Sequence, residues 1–374
     1  MSLTLVRGDF DAFFRTPFVV YPKDTPYVSP MRSDLQRYLD PHKNPLLKGG
    51  GDLEVLVVMR DGQPVARATA HRHPASNERH GLSRSYFGYL DAADDPEALR
   101  LLFDGVEAFA HRHGDTEIAG PFNLTAMQQI GLVTEGFEHA PFTDMVWSPP
   151  YLAARLEAMG YAAEFPMSTF RFSPGEVDRD RLLTPGARAI LASDDWIFAP
   201  IDRRRFKPRM EEARQCLNGG FDANPMFVPL TDEEFEFQAG EMMWILDPAL
   251  SSVIHYKGQP MGVVICIPDL NPFVRDSGAT YGPRALWAWL KMQVRPRRAV
   301  LILYSVMPEA QGQGVNPAML WRVIGALQQR GYRECGCTWI ADVNGTSLRQ
   351  LERIGGERLH RTHLFRKVLD NAAA

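Results

Sequence analysis

The chain has 374 residues, 45% of them hydrophobic and 23% charged, and its 41 Lys plus Arg against 45 Asp plus Glu leave a net charge of −4. That length suits two ordinary domains with cores large enough to need neither disulfides nor structural metals, and the near-neutral balance argues against a strongly electrostatic nucleic-acid binder. The four cysteines (Cys216, Cys266, Cys335 and Cys337) are too few for a disulfide framework. Cys335 and Cys337 are spaced C-x-C, so on a strand both face one side, and two small apolar residues are expected there rather than a metal site. The longest apolar run, residues 261–268, is far short of the ~20 residues that span a bilayer. Arg7, Asp9, Asp11 and Arg15 interrupt any signal-peptide core. A cytoplasmic protein without a transmembrane segment is expected.

In chain order, Phe10, Phe13, Phe14 and Phe18 space like one face of a helix and read as core packing rather than a membrane anchor. Residues 53–58, the Asp61-Gly62 turn and residues 64–70 read as a β-hairpin. Residues 86–90 read as a strand. Residues 96–112 carry Leu99, Leu102, Phe103, Val106 and Phe109 at helical spacing. A strand at 117–119 and a helix at 150–159, closed by Gly160, complete the first half.

The second half repeats that order. Residues 252–256, the turn Lys257-Gly258-Gln259 and residues 261–267 form a second hairpin. A strongly apolar strand at 298–306 follows, then a helix at 317–330, a strand at 334–340, a helix at 346–354 and a last strand at 363–368. We expect two similar α/β domains, 1–165 and 194–374. A linker at 166–193 is marked by Pro166, Pro174, Gly175, Pro185 and Gly186.

The segment that carries chemistry lies between the strand at 298–306 and the helix that follows: Gln311-Gly312-Gln313-Gly314-Val315-Asn316. Glycines let a backbone approach a ligand closely, and N–H groups at a helix start can hold an anion such as a pyrophosphate. A dinucleotide fingerprint would need a third glycine, where Pro317 stands; a nucleoside-triphosphate loop would need Gly-Lys-Ser/Thr, which is absent. The stretch resembles the acyl-CoA pyrophosphate loop of the GNAT acyltransferase superfamily, Q/R-x-x-G-x-G/A, at Gln311 and Gly314, with Asn316 replacing the last small residue. The order that follows, a strand, Asp342-Val343-Asn344, a short helix and Gly355-Gly356, resembles the same superfamily.

The first half resembles that fold without the loop: Asp91-Ala92-Ala93-Asp94-Asp95-Pro96 stands in its place, and its carboxylates would repel a pyrophosphate. Over residues 20–367 the chain resembles uncharacterised bacterial tandem-GNAT proteins, through His42-Lys43-Asn44-Pro45, Phe87-Gly88-Tyr89, Gly120-Pro121-Phe122-Asn123, Gly131-Leu132-Val133-Thr134-Glu135-Gly136-Phe137 and Pro268-Asp269-Leu270-Asn271. The resemblance implies an α/β (α+β) chain of two GNAT-like domains, each a mixed, mainly antiparallel sheet flanked by helices. It further implies N-acyl transfer from acyl-CoA or acetyl-CoA as co-substrate, without a metal. The acceptor would be a small-molecule or lipid amine, including long-chain or sphingoid-type amines. An acyl-carrier protein is an alternative donor, nucleic acid is not a partner, and peripheral membrane contact is compatible. The alternative reading is a non-catalytic acyl-CoA-binding or scaffold protein.

The resemblance assigns Val306, Gln311, Gly312, Gln313, Gly314, Val315, Asn316 and Asn344 to the cofactor. The Tyr that usually protonates the leaving thiolate would fall at Leu351, so that acid is missing. Tyr304 is the substitute acid, two residues before Val306 on the same strand face, with core packing as the alternative. His255 on the second hairpin is a candidate base near neutral pH, with a satisfied structural histidine as the commoner alternative. Asp342 is a second candidate base, with a surface acid as the alternative. Asp269, Asn271 and Glu135 are candidate substrate contacts; the first two could equally cap a turn, and Glu135 could be a solvated loop acid. The basic run Arg203-Arg204-Arg205, Lys207 and Arg209 is either a solvated face or an anion-attracting patch.

Overall fold

The computed structural model describes residues 2–48, 52–222, 224–295 and 297–370. In chain order the elements are β1 (Leu3–Arg7), α1 (Phe10–Val20), α2 (Arg32–Tyr38), α3 (Pro45–Lys48), β2 (Leu53–Arg60), β3 (Gln63–Arg72), α4 (Pro74–His80), β4 (Arg84–Ala92), α5 (Pro96–Arg112), β5 (Glu117–Gly120), β6 (Leu132–Glu135), α6 (Tyr151–Ala158) and β7 (Ala162–Phe172). They continue with α7 (Pro185–Ala192), β8 (Trp196–Pro200), α8 (Phe206–Gly220), α9 (Asp232–Ala239), β9 (Ser252–Tyr256), β10 (Gln259–Pro268), α10 (Asn271–Ser277), α11 (Pro283–Val294), β11 (Arg297–Val306), α12 (Val315–Gln329), β12 (Tyr332–Ala341), α13 (Gly345–Arg353) and β13 (Glu357–Val368). Every strand and helix expected from periodicity is present, with ends shifted by a few residues.

The chain forms two compact units. One comprises Met1–Met167, Asn271–Leu290 and His360–Ala374; the other comprises Ser168–Leu270 and Lys291–Leu359. The units therefore do not follow chain order. Residues 166–193, expected as a linker, hold part of β7, two short 3-10 turns and α7. Residues 271–290 and 360–374, expected in the second domain, group with the first unit. Hydrogen bonds explain the former: Asn271 Nδ2 donates to Pro141 O at 2.9 Å, Arg275 Nη2 to Thr25 O at 3.0 Å, and Arg32 N to Ala279 O at 2.8 Å.

In the first unit the strand order β1-β2-β3-β4 is antiparallel throughout, β5 lies parallel to β4, and residues 361–368 of β13 pair antiparallel with β5 and β6. In the second unit β8-β9-β10-β11 is antiparallel throughout and β12 lies parallel to β11. Both hairpins close through two residues at positive φ, Asp61 (49°) and Gly62 (79°) in one, Lys257 (49°) and Gly258 (85°) in the other. Turns of that hand match the twist of paired strands.

Each unit packs a helix between its fourth and fifth strands against an apolar sheet face. In the first unit α5 starts at the Asp95 N-cap and Pro96, and buries Leu99, Leu102, Phe103, Val106 and Phe109. In the second, α12 buries Met319, Leu320, Val323, Ile324 and Leu327 against Ile254, Val264 and Leu301. Cys266 and Cys335 belong to that core and Cys337 packs against it, so the C-x-C thiols share a face as expected. All four cysteines are free thiols, and burial pushes Cys337 up to about 12.

Candidate functional site

In the second unit, β11 and β12 pair from Arg297/Tyr332 only as far as Leu301/Cys337. β11 runs on to Val306 and β12 to Ala341, so the parallel pair splays beyond residue 301. On its other edge β11 stays paired with β10 up to Gly262/Val306, with a bulge that skips Ile302. No ladder satisfies the backbone groups of β11 that face the splay, and of these Val306 O is taken by the Gln311 side chain.

Above the splay sits the glycine loop. Gly312 (φ 75°) and Gly314 (φ 100°) both take a conformation that favours glycine. Gly314 is the N-cap of α12, where it supplies no side chain. Among the described residues, no hydrogen bond within the chain takes the N–H groups of Gly312, Gln313, Gly314, Val315 and Asn316. A helix start with unpaired N–H groups carries positive partial charge and suits an anion. Pro317 withholds one donor from this turn.

The side chains around the loop build it. Gln311 Nε2 donates to Val306 O at 3.1 Å, and Gln313 Nε2 donates to Glu309 O at 2.6 Å. The Tyr304 hydroxyl donates to Asn316 O. Tyr304 is thus bound to the first turn of α12, and burial raises its pKa well above the ordinary phenol range. Asn316 Oδ1 is buried and has no partner. A β-carbon on Gly314 would lie 2.5 Å from Ala187 N, and one on Gly186 would lie 2.4 Å from Gln313 O. The start of α7 therefore packs directly against the loop, a contact that sequence spacing could not show. Gly312 has open space around it.

His255 stands on the other face of the same sheet. Ser305 Oγ donates to Cys216 O of α8 at 2.7 Å, and Ser305 lies opposite Val263, which lies opposite Val253. His255, two residues on from Val253, shares that α8 face, whereas Tyr304 shares the α12 face with Val306. The pleat of the strands thus separates the expected acid and base. His255 is buried, with Nε2 3.2 Å from Glu212 Oε2 and 3.3 Å from Arg209 Nη1. Arg209 Nη1 also holds both Glu212 oxygens, at 2.9 and 2.6 Å. Sequence reading missed Glu212 as the partner of His255. It had singled out Arg209 only within a basic run, although the i,i+3 pair Arg209–Glu212 on α8 was visible.

The remaining expected residues are dispersed. Leu351 is in the core, so no acid can project from that position. Asn344 is exposed and N-caps α13, accepting from Ser347 N at 3.2 Å, and Asp342 is exposed at the end of β12. Asp269 is buried against Arg298 Nη1 at 3.2 Å in the second unit. Asn271 holds Pro141 O in the first unit, and Glu135 is exposed at the end of β6 there. A cavity of about 430 Å³ in the second unit is lined by Arg179, Phe198, Trp321 and Arg322 and by none of the expected site residues.

The corresponding place in the first unit is filled by its own chain. β4 and β5 pair only from Arg84/Glu117 to Tyr86/Ala119. Beyond that, Phe122 N donates to Phe87 O at 2.7 Å and Tyr89 N donates to Asn123 Oδ1 at 2.6 Å. A β-carbon on Gly88 would lie 2.5 Å from Phe122 O. The start of α5 is capped by Asp95, which accepts from Ala98 N at 3.1 Å and is held by Arg60 at 2.6 Å. Asp94 pairs with Arg155 at 2.8 Å, and buried Asp91 pairs with buried Arg67 at 2.6 Å. These carboxylates are each neutralised by an arginine, so the expected repulsion of a pyrophosphate gives way to occupation of its place. The cavity beside Arg67 and Asp91 measures about 50 Å³, too small for a thioester.

Among the described residues, no group of three or more His, Cys, Asp or Glu could hold a metal ion. No helix among them is long and apolar enough to cross a membrane.

No protein-family model matches the chain. Protein YghO of Escherichia coli (strain K12) is 28% identical over 378 residues, covering 98% of this chain and 94% of that protein. Bacterial ceramide synthase of Caulobacter vibrioides (strain NA1000 / CB15N) is 23% identical over 370 residues, covering 97% of this chain and 95% of that one. Among solved structures, a tandem GNAT protein from the clavulanic acid biosynthesis pathway aligns with a TM-score of 0.59 at 13% identity, over 98% of each chain. That likeness extends over the whole chain and places the tandem arrangement beside the repeated strand order seen here.

Proposed function

From a chain that carries the GNAT fold twice, we propose that the second unit binds an acyl-CoA and transfers its acyl group to an amine. The observation that carries this reading is the open combination of the splayed β11/β12 pair and the uncapped start of α12, when the same place in the first unit is filled. The N–H groups of residues 312–316 fit a pyrophosphate, and the unpaired edge of β11 fits the amides of an extended pantetheine arm. Tyr304 acts here as a positioning residue that ties β11 to the first turn of α12.

In the transfer, the amine nitrogen forms a bond to the thioester carbonyl carbon and the C–S bond breaks. The amine loses a proton and the leaving thiolate gains one. His255, held by Glu212 and Arg209 on the α8 face, is the candidate to take the amine proton from an acceptor that enters on that face. The backbone of β11 near Val306 is assigned to polarise the carbonyl oxygen. The name of the Caulobacter relative directs the acceptor toward long-chain amines of the sphingoid type. A cytoplasmic location and donation from an acyl-carrier protein belong to the same reading. Asp342, Asn344, Asp269, Asn271 and Glu135 are its remaining assignments, to be tested by substitution.

Leu351 in the core favours a second reading, an acyl-CoA-binding protein without turnover, since the usual acid is absent. Calorimetry with acetyl-CoA and a long-chain acyl-CoA, followed by thiol release across simple and sphingoid amines, separates the readings. Transfer predicts binding and thiol release. Binding without release supports the second reading, and no binding of either thioester sinks both. Tyr304→Phe should weaken binding about fivefold, the worth of one hydrogen bond, and leave the pH profile of turnover unchanged. A displaced profile would make Tyr304 a proton donor after all.

A further inference from the structure

A surface helix normally buries its large apolar side chains and exposes its small and polar ones. Helix α11, Pro-Arg-Ala-Leu-Trp-Ala-Trp-Leu-Lys-Met-Gln-Val, does the reverse. Its buried side chains are Ala285 and Ala288. Leu286 is 65% exposed, Trp287 72%, Leu290 49% and Val294 84%. At 100° per residue these four lie together on the face opposite the alanines, with Trp289 (50% exposed) on one flank and Arg284 and Lys291 on the other. Tyr281, just before the helix, is 70% exposed.

Charge selects the occupant of this face. Residues 277–308 contain no Asp or Glu, and Arg284 and Lys291 stand on the helix itself beside the apolar face. An apolar protein partner would match the leucines and tryptophans but has no need of an acid-free, cationic rim. An anionic bilayer surface matches both: Leu, Trp and Val enter the acyl boundary, Trp and Tyr suit the headgroup level, and Lys and Arg meet phosphate. Twelve residues make a helix of about 18 Å, well short of the ~30 Å hydrocarbon core, so the helix would lie flat.

We infer that α11 docks this protein onto an anionic membrane surface through Leu286, Trp287, Leu290 and Val294. The inference does not depend on acyl transfer, because it rests on residues outside the loop and the splayed strands. It would let a water-soluble thioester and a bilayer-resident partner meet at one protein.

The test is flotation of the full chain with vesicles of about three parts phosphatidylcholine to one part phosphatidylglycerol, against vesicles of phosphatidylcholine alone. Flotation with the anionic vesicles is expected, weakened by raising salt from about 0.1 M to about 1 M. The double variant Leu286→Glu, Leu290→Glu should lose flotation at least about tenfold, as should Arg284→Glu with Lys291→Glu to a smaller degree. Both pairs are exposed, so melting temperature and acyl-CoA binding should stay as in the parent and show that the variants fold. No flotation on anionic vesicles, or flotation unchanged in the leucine variant, overturns the proposal. So does a concentration-dependent dimer that the leucine variant abolishes in the absence of vesicle binding, which would make α11 an interface between copies.

Discussion

The two units use one strand order and one helix placement, and they differ at the end of the fourth strand. In the first unit, three residues join β4 to α5, and Asp95 caps the helix with its carboxylate. In the second, eight residues join β11 to α12, and glycine occupies the cap. In the first, Phe122 and Asn123 bond to β4 where its pairing with β5 has ended; in the second, the pairing ends and, among the described residues, no backbone hydrogen bond bridges the two strands beyond that point. The two units thus differ in small ways that bear on the proposed anion site: who supplies the negative charge at a helix start, and whether a neighbouring loop fills the splay. The first unit has its own carboxylate there, and with it a scaffold held by buried polar groups.

The largest expected effect falls on that scaffold. Arg67 is 1% exposed, bonds to Asp91, Phe13 O and Tyr27, and lies over the Phe13 ring. Arg67→Met leaves a buried carboxylate unpaired and should destabilise the first unit by ~3–5 kcal/mol in chemical denaturation. Acyl-CoA affinity of the molecules that remain folded should be unchanged; a parallel loss of affinity would show that the filled copy also binds thioester.

On the open side, Gly312→Glu puts a carboxylate beside the free N–H groups without a steric clash, at the cost of a strained φ. Affinity for acyl-CoA should fall about 100-fold, or ~2.7 kcal/mol, in calorimetry. Unchanged affinity would remove the loop from the site. Gly314 is the weaker probe, because any side chain there meets Ala187 and would dislodge α7 as well.

The first unit should also carry an acid-sensitive term from a buried histidine. His71 is buried beside the stacked pair Tyr86 and Phe122, its ring centroid 5.8 Å from the first and 6.4 Å from the second, and neither ring nitrogen has a partner. Burial lowers its pKa from 6.5 to about 3, with His73 adding to the shift. The folded state therefore holds His71 neutral while the unfolded chain takes up a proton. Its contribution is intact above the unfolded value near 6.5 and is lost as pH falls toward 3. His71→Phe keeps the stacked ring and should flatten the fall in unfolding free energy across that window, by up to ~1.4 kcal/mol per pH unit. An identical slope in the variant would assign the acid sensitivity elsewhere.

The smallest effect tests the cap itself. Asp95→Ala should cost ~1 kcal/mol of stability, read from the melting of the purified protein. It should not create acyl-CoA binding in the first unit, since Phe122 and Asn123 still occupy the splay. Appearance of a second binding site would mean that the cap alone decides.

Much of this was legible in the residues. Both hairpin turns, the periodic helices at 96–112 and 317–330, the repeated order of elements and the glycine loop are encoded within short windows. Turn chemistry, capping and 3.6-residue spacing act there over a few positions. Those signals determined the α/β class, the repetition and a glycine loop at a helix start of the kind that suits an anion.

The tertiary structure alone showed what fills the first copy and what packs on the loop of the second, because Phe122 reaches Phe87 from 35 residues away in sequence and Gly186 meets Gln313 from 127 away. It separated Tyr304 and His255 onto opposite sheet faces, placed Leu351 in the core, and moved residues 271–290 into the first unit. It also turned the apolar face of α11 outward, although composition there reads like any buried helix. The physical reason is common to all of these. Local propensities fix what each segment becomes, whereas the face it shows and the gap it fills are set by contacts between segments that are remote in the chain.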